Sequence, residues 1–263
     1  QTSIFAGEYL IHPGSSLTNI LNILADGDVV KYKLTIPEGL RARDFLNLLS
    51  LQPKLSHHLN GLSDTEIAAV LGGKISQLEG AFFPDTYVYS KGDSDIQILQ
   101  LAYDIMSNTL EEEWKQRAPD LPYKSSHEAL ILASIIEKEA SFNSEKENIA
   151  AVFVNRLKKG MRLQADPTVI YGLGDKYQGN ITRRHLRSFT PYNTYMIKGL
   201  PPTPIALPGR SSIYAALHPL KTDSLYFVAK GDGSHFFSVS LDEHLSAVKR
   251  YQLNRKSDYH SNP

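Results

Sequence analysis

The segment LILASIIEKEA, Leu130–Ala140, predicts an apolar helix that ends in two glutamates. On a helix of about 3.6 residues per turn, Glu139 continues the apolar face that holds Leu132 and Ile135, whereas Glu137 lies on another face. A carboxylate on an apolar face is unusual because ionised Glu is rarely buried without a partner. Burial disfavours the charged form and raises the pKa, as a general acid that works near neutral pH requires. The alternative is a last helical turn that emerges into solvent with both glutamates exposed.

The composition is that of an ordinary globular chain of 263 residues, with 41% hydrophobic and 21% charged residues. This length predicts one or two domains with a sizeable core. The absence of cysteine excludes disulfides, thiolate metal sites and a cysteine nucleophile. Lys plus Arg and Asp plus Glu balance at 28 each, which argues against nucleic acid or another polyanion as the main partner.

The sequence contains no apolar run of the roughly 18 residues that a membrane span needs, and no signal peptide is visible. The chain begins at Gln1 and not at Met, so we expect a fragment or a processed product. Targeting information could therefore have preceded Gln1.

The first fifty residues predict a small α+β unit. Its predicted elements are a strand over Gly7–His12, a helix over Leu17–Ala25 capped by Ser15 or Ser16, a strand over Val29–Ile36 and a helix near Arg41–Leu49. A strand–helix–helix–strand glycan-binding module of the LysM kind has a similar pattern. One lobe of a larger α+β fold is the alternative.

Residues 51–263 predict a mixed, mainly helical domain with a β-hairpin near its C-terminal end. Helix starts are marked by the capping pairs Ser63 with Glu66, Ser94 with Gln97, Ser125 with Glu128 and Ser144 with Glu147. Residues 160–212 show few regular patterns, and a loop-rich stretch of this length is more often functional than filler. The final predicted elements are strands over Leu225–Ala229 and His235–Val239 and a helix over Asp242–Asn254.

Two loops supply candidate ligand-binding side chains. The loops are RLQADPTVIYG, residues 162–172, and PYNTYMIKGLPPTP, residues 191–204. Rigid loops with amides, hydroxyls and tyrosine rings suit an uncharged polyhydroxy ligand such as a sugar. The candidates are Gln164, Asp166, Thr168, Tyr192, Asn193 and Tyr195. The alternative for each loop is a turn stabilised by Asn and Asp side chains.

Other chemistries lack their motifs in this sequence. It has no G-x-S-x-G, no P-loop and no G-x-G-x-x-G. Neither His57-His58 nor His127-Glu128 has the spacing of an H-E-x-x-H zinc site. We therefore expect neither a metal nor a cofactor.

The chain resembles the YceG/MltG family of endolytic murein transglycosylases over nearly its whole length. The resemblance is carried, in chain order, by PGSSLTNILNIL (13–24), EGAFFPDTY (79–87), ASIIEKEA (133–140), VFVNRL (152–157), MRLQADPTVIYG (161–172), PYNTY (191–195), GLPPTPIALPG (199–209) and YFVAKGDGSHFFS (226–238). The first string corresponds to the LysM-like subdomain of the family. One departure is Leu207, which stands where a small or amide residue is expected.

The resemblance implies cleavage of the MurNAc-β-1,4-GlcNAc bond of nascent glycan strands without water. A single glutamate would protonate the glycosidic oxygen and then take the proton of the muramyl C6 hydroxyl, leaving a 1,6-anhydroMurNAc end. The catalytic residue of the family maps onto the second Glu of E-K-E, which is Glu139, the residue that the helical face also selects. Glu137 is the second candidate, and we expect it to hold a neighbouring loop by hydrogen bonds. The six loop residues are expected to line the glycan cleft.

The resemblance further implies a LysM-like subdomain over residues 1–50 and a catalytic domain over residues 51–263. It implies an inner-membrane anchor before Gln1, with this region periplasmic or extracytoplasmic. Peptidoglycan glycan strands are the expected partner, together with glycan polymerases or penicillin-binding proteins. Two alternatives stay open. One is a muramidase-type hydrolase, if Asp166 lies about 5–9 Å from Glu139; the other is a non-catalytic glycan-binding module of a cell-wall synthesis complex.

Overall fold

The computed structural model describes residues 7–73, 75 and 77–253 of the chain. Its α-helices are α1 (Leu17–Asp26), α2 (Ala42–Ser50), α3 (Asp64–Val70), α4 (Asp95–Lys115), α5 (Ser126–Glu139), α6 (Lys146–Lys158), α7 (Asp166–Leu173), α8 (Arg183–Arg187), α9 (Arg210–Leu217) and α10 (Leu241–Val248). Its strands are β1 (Lys31–Thr35), β2 (Thr86–Ser90), β3 (Tyr226–Ala229) and β4 (His235–Ser238). β1 pairs antiparallel with β2, and β3 pairs antiparallel with β4. The predicted α+β class is therefore confirmed.

The N-terminal elements agree with the prediction except at the start. α1, β1 and α2 confirm the predicted helix, strand and helix, and Ser16 rather than Ser15 caps α1. The strand predicted over Gly7–His12 is wrong, because that segment makes a single isolated bridge, between Tyr9 and Val29. The apolar residues next to Tyr9 are exposed, so no buried face stabilises a longer pairing. Within residues 7–50 the order is thus bridge, helix, strand, helix.

The N-terminal hydrophobic core extends well past residue 50. β1 pairs along all of its residues with β2, which lies more than fifty positions later in the chain. Phe45 of α2 packs on Phe82 and Tyr87, with ring centroids 5.4 and 6.5 Å apart. Leu207 is fully buried in the same core, which explains an apolar side chain where a small or amide residue is expected. The division into domains at residue 50 stays a prediction.

A second core lies between α5, α6 and α9. α5 is buried from Ala129 to Ile136, which confirms that the segment from Leu130 onward is an apolar helix. α4 connects the two cores, since Leu99 lies in the first and Met106 in the second.

Three of the four predicted helix caps are present. Ser63 and Ser94 form capping boxes, and Ser125 accepts a hydrogen bond from the backbone of the first turn of α5. The cap predicted at Ser144 is wrong. A cap residue needs an extended backbone, but the residue before α6, Glu145, is nearly helical (φ −101°, ψ −10°) and is the last residue of a 3-10 turn that includes Ser144.

The proline-rich loop, residues 199–209, lies against α5. Ser134 Oγ accepts a hydrogen bond from the Ile205 N–H at 2.9 Å. Gly80 packs so closely on this loop that a Cβ would come within 2.5 Å of the Pro204 ring, and its φ is 79°. The loop is therefore fixed to both cores. Residues 160–212 are more regular than predicted, since they contain α7, α8 and the start of α9.

The C-terminal hairpin is confirmed as β3 and β4, with Phe227 opposite Phe237. α10 and a π-helical turn that runs to Leu253 confirm most of the last predicted helix, whose end at Asn254 lies outside the described residues. Within the described ranges, every helix is too short or too polar to cross a bilayer.

Candidate active site

A polar cleft with a cavity volume of about 480 Å³ opens at the end of α5. Its walls come from α5, α6, the two predicted loops, the C-terminal hairpin and α10. The polar side chains that line it are Glu139, Arg156, Gln164, Asp166, Tyr195, His235, His244 and Gln252. The fold thus brings Glu139 together with three of the six predicted loop residues.

Glu139 is the last residue of α5, and its side chain is partly buried. Among the described residues, none forms a hydrogen bond or an ion pair with its carboxylate. Burial is the main cause that raises the pKa of Glu139 to about 8; the negative charge of Asp166 raises the pKa further, and Arg156 opposes this. The carbonyl end of a helix dipole also disfavours a carboxylate. Glu139 is therefore mostly protonated at neutral pH, as a general acid must be.

Asp166 is the exposed first residue of α7 and lines the same cleft. The Tyr195 hydroxyl donates a hydrogen bond to Asp166 Oδ1 at 2.6 Å. Burial and the neighbouring Asp166 carboxylate raise the pKa of Tyr195, so the phenol keeps its proton. This bond joins the two predicted loops at the edge of the cleft.

Gln164 has a left-handed backbone, with φ at 52°, which residues other than glycine rarely adopt. Its N–H donates to the Thr194 carbonyl at 3.2 Å, and Arg156 Nη1 lies 3.4 Å from its Oε1. Arg156 is buried and donates to the carbonyls of Leu163 and Leu225 at 2.8 and 2.6 Å. Burial lowers the pKa of Arg156 below its ordinary value, but a guanidinium remains charged at neutral pH. Arg156 therefore holds the loop at Gln164 and places a positive charge in the cleft wall.

Three of the predicted glycan-contacting residues do not line the cleft. Thr168 is fully buried, and its hydroxyl lies 2.8 Å from that of Thr194. Asn193 is 1% exposed and donates to three carbonyls around the end of α8, at 2.6 to 3.2 Å. Tyr192 packs its ring on Tyr171, with centroids 4.8 Å apart. The contact predicted for Thr168 and Asn193 is corrected to a structural role, because their polar groups are used inside the protein to join and shape the loops.

Glu137 lies two residues from Glu139 but in different surroundings. Its side chain is 8% exposed. Its carboxylate accepts hydrogen bonds from the Gly209 N–H at 3.0 Å, Ser212 Oγ at 2.6 Å and Lys146 Nζ at 3.2 Å. These bonds hold the end of the proline-rich loop and the start of α9, which confirms the expected role of Glu137.

Sequence reasoning missed four polar residues of the cleft, Arg156, His235, His244 and Gln252. Arg156 interrupts the apolar string VFVNRL, and His235 opens the apolar strand HFFS. A polar side chain inside an apolar string is the signal that could have found both. His244 lies on the partly buried face of α10, and burial together with Arg156 lowers its pKa.

The arrangement suits acid–base chemistry on a polar ligand. It offers a protonated carboxyl group, a second carboxylate and several hydrogen-bonding side chains in one cleft. Among the described residues, no group of three or more His, Asp or Glu side chains is placed to hold a metal ion.

Comparisons with known proteins agree over nearly the whole chain. The YceG-like family matches residues 1–250. An endolytic murein transglycosylase of Bacillus subtilis (strain 168) is 36% identical over an alignment of 263 positions, which covers 94% of this chain and 72% of that protein. One from Streptococcus pneumoniae serotype 2 is 29% identical over 174 residues, which cover 64% of this chain and 31% of that protein. A crystal structure of a yceG-like protein from Listeria monocytogenes has a TM-score of 0.68 and 36% identity, covering 89% of this chain and 82% of that chain. The resemblance in the sequence is thereby confirmed, and the chain belongs to the YceG-like family.

Proposed function

We propose that the chain is an endolytic peptidoglycan lytic transglycosylase in which Glu139 serves as both acid and base. The observation that carries the proposal is the partly buried Glu139, whose raised pKa keeps it protonated in a polar cleft. A hydrolase of the common type needs two carboxyl groups. A transglycosylase of this kind needs one, because the substrate supplies its own nucleophile. The relatives named endolytic murein transglycosylases support the same reaction class.

The proposed reaction is the one that the family resemblance implies, and it starts from the protonated form of Glu139. The carboxyl group donates its proton to the glycosidic oxygen, and the bond between that oxygen and C1 of MurNAc breaks. The leaving GlcNAc keeps the proton as its 4-hydroxyl. The Glu139 carboxylate then takes the proton of the muramyl C6 hydroxyl, whose oxygen closes onto C1. The product has a 1,6-anhydro end, no water is consumed, and Glu139 is protonated again.

The other cleft residues support this chemistry by charge and by orientation. The Asp166 carboxylate, which lines the same cleft, would stabilise the positive charge that develops at the anomeric carbon. Tyr195 holds Asp166 by its 2.6 Å hydrogen bond. Gln164 presents its amide at the rim, and Arg156 fixes the backbone there.

Asp166 also favours a second candidate, a muramidase-type hydrolase. Two carboxyl groups in one cleft are the arrangement that glycoside hydrolases use, and Glu139 and Asp166 line the same cleft. In that reaction Asp166 would act as base or nucleophile, and the product would carry a reducing end.

Mass spectrometry of the products from purified glycan strands tests the proposal. We expect wild-type protein to release fragments with 1,6-anhydro ends and Glu139→Gln to release none. Glu111→Gln, on the exposed face of α4, is the matched control and should cleave like the wild type. Products heavier by one water, with reducing ends, would establish the hydrolase. Intact strands with all three proteins would favour the non-catalytic binding module.

Three wider proposals rest on the resemblance. Residues 1–50 would form a LysM-like glycan-binding subdomain beside a catalytic domain over residues 51–263. Glycan polymerases or penicillin-binding proteins would be partners. The domain would act outside the cytoplasmic membrane, tethered by an anchor that precedes Gln1. The support for the LysM-like subdomain is the sequence string over residues 13–24. The order of elements within residues 7–50 does not support it, because that order is bridge, helix, strand, helix and not strand, helix, helix, strand.

A further inference from the structure

We infer that His235 is a further glycan-contacting residue, and that its Nε2 accepts a hydrogen bond from a sugar hydroxyl or acetamido N–H. This rests on the proposed function, because it names a contact for the glycan in the same cleft. His235 opens β4 and lines the cleft together with Glu139 and Asp166. The proton transfers proposed for Glu139 do not require His235. We therefore assign His235 a role in binding the glycan.

The orientation of the His235 ring is fixed by Glu145. The Glu145 carboxylate accepts a hydrogen bond from the backbone N–H of His235 at 2.9 Å, and its other oxygen lies 2.8 Å from Nδ1. Both side chains are largely buried, at 9% and 15% exposure. Because Nδ1 faces a carboxylate, it carries the proton. In the neutral ring Nε2 is then an acceptor, which selects a hydrogen-bond donor as its ligand.

Aromatic rings pack around the rest of the imidazole. Phe227 lies perpendicular to it with centroids 5.3 Å apart, and the Phe237 centroid is 6.3 Å away. Among the described residues, none forms a hydrogen bond with Nε2. An oriented acceptor in a polar cleft, without a partner in the described protein, is preorganised for a ligand.

The hairpin that carries His235 is also fixed relative to Glu139. Gly233, with φ at 84°, lies so close to Phe142 that a Cβ would come within 2.8 Å of that ring. Phe142 and Glu145 both belong to the short connection between α5 and α6, directly after Glu139. Two contacts therefore tie the position of His235 to the residue that supplies the proton.

Glycan binding by an inactive protein tests this contact without relying on cleavage. In the Glu139→Gln background, we would measure the Kd for soluble, uncross-linked strands of alternating GlcNAc and MurNAc. We expect His235→Ala to raise the Kd about tenfold, and His235→Gln, which retains an acceptor, about threefold or less. The matched control is His218→Ala, because the His218 ring is likewise held by hydrogen bonds, to the carbonyls of Tyr214 and Gln116, but lies outside the cleft. It should leave the Kd unchanged.

The imidazole ¹⁵N resonances give a second readout that a structural role would not move. We expect the Nε2 signal of His235, assigned by its loss in His235→Gln, to shift when strands are added. An unchanged Kd in His235→Ala together with an unmoved signal would overturn the inference. If His235→Ala does not fold, the test rests on whether the His235 Nε2 resonance of Glu139→Gln shifts when strands are added. Strands bound through His235 but never cleaved by wild-type protein would overturn the proposed function and support this contact. Cleavage with His235-independent binding would overturn this contact alone.

Discussion

The two glutamates at the end of α5 lie on one turn of helix, but their carboxylates have different surroundings. Glu137 is enclosed by a buried lysine, a serine hydroxyl and a backbone N–H, which satisfy its charge. Glu139 faces a cleft, and no described residue bonds to its carboxylate. The same side chain thus has a structural role at one position and is the proposed proton donor two residues later. The difference lies in the partners, because burial alone is common to both.

The largest expected effect comes from removing the Glu137 carboxylate. Glu137→Ala leaves Lys146 buried, at 3% exposure, without its main counter-charge. We expect the free energy of unfolding to fall by about 3–5 kcal/mol, as for other broken buried pairs. Denaturant unfolding followed by circular dichroism measures it. Glu111→Ala breaks an exposed pair with Lys115 and should change stability by less than about 1 kcal/mol. Equal losses in both variants would refute the anchoring role of Glu137.

The second prediction concerns the pH dependence of the reaction. Glu139 must be protonated to act as acid, and its pKa is raised to about 8. The rate should therefore stay level through neutral pH and fall about tenfold per unit above pH 8. A kcat/KM profile on purified strands measures this limb. A decline that begins near pH 4 to 5, where an exposed glutamate titrates, would contradict the burial of the acid.

The stability of Glu139→Gln gives the third, smaller effect. Between the ordinary pKa of 4.5 and about 8, the folded protein keeps a proton on Glu139 that the unfolded chain releases. The wild type therefore loses stability as the pH rises through this window, and the glutamine variant does not. The full shift would correspond to about 4 kcal/mol at pH 8. Because solvent reaches the partly buried side chain and screens its charge, we expect Glu139→Gln to be about 1–2 kcal/mol more stable than the wild type at pH 8, with no difference below pH 4. Melting temperatures at the two pH values check this; a variant less stable at pH 8 would show that Glu139 is anchored like Glu137.

The smallest expected effect is the shift of the pH profile in Asp166→Asn, which is separate from the loss of rate that its proposed charge stabilisation implies. The charge of Asp166 raises the pKa of Glu139, but burial is the larger cause. Removing that charge should move the alkaline limb of the pH profile to lower pH by less than about one unit. The same kinetic measurement detects the shift, with Glu111→Gln as the reference. A limb that stays in place would show that Asp166 does not act on Glu139 through its charge.

Local patterns predicted the elements better than they predicted the neighbours of each side chain. The period of α5 placed Glu137 and Glu139 on different faces, and the capping pairs at Ser63, Ser94 and Ser125 located helix starts. These features depend on residues a few positions apart. The partners of Glu137, by contrast, come from α6 and from residues near 209, and no local pattern reveals that contact.

The incorrect predictions also arise from contacts between residues that are distant in the sequence. Thr168 and Asn193 have the right chemistry for a sugar, but tertiary contacts bury both and use their polar groups. His235 and Glu145 lie ninety positions apart, so their pairing is invisible along the chain. The strand predicted over Gly7–His12 is wrong because its apolar side chains, Leu10 and Ile11, are exposed and do not pack into either core of the described fold.

The burial of Leu207 in the N-terminal core has a consequence for how the chain folds. That core begins at β1 but is completed by a side chain about 170 positions later, and β1 itself pairs with residues beyond 85. Contacts of such sequence separation form late and slow the folding of a domain. Residues 31–49 are therefore synthesised well before the residues that complete their packing. During synthesis, the apolar side chains of residues 31–49 must avoid aggregation until the chain has been made as far as Leu207.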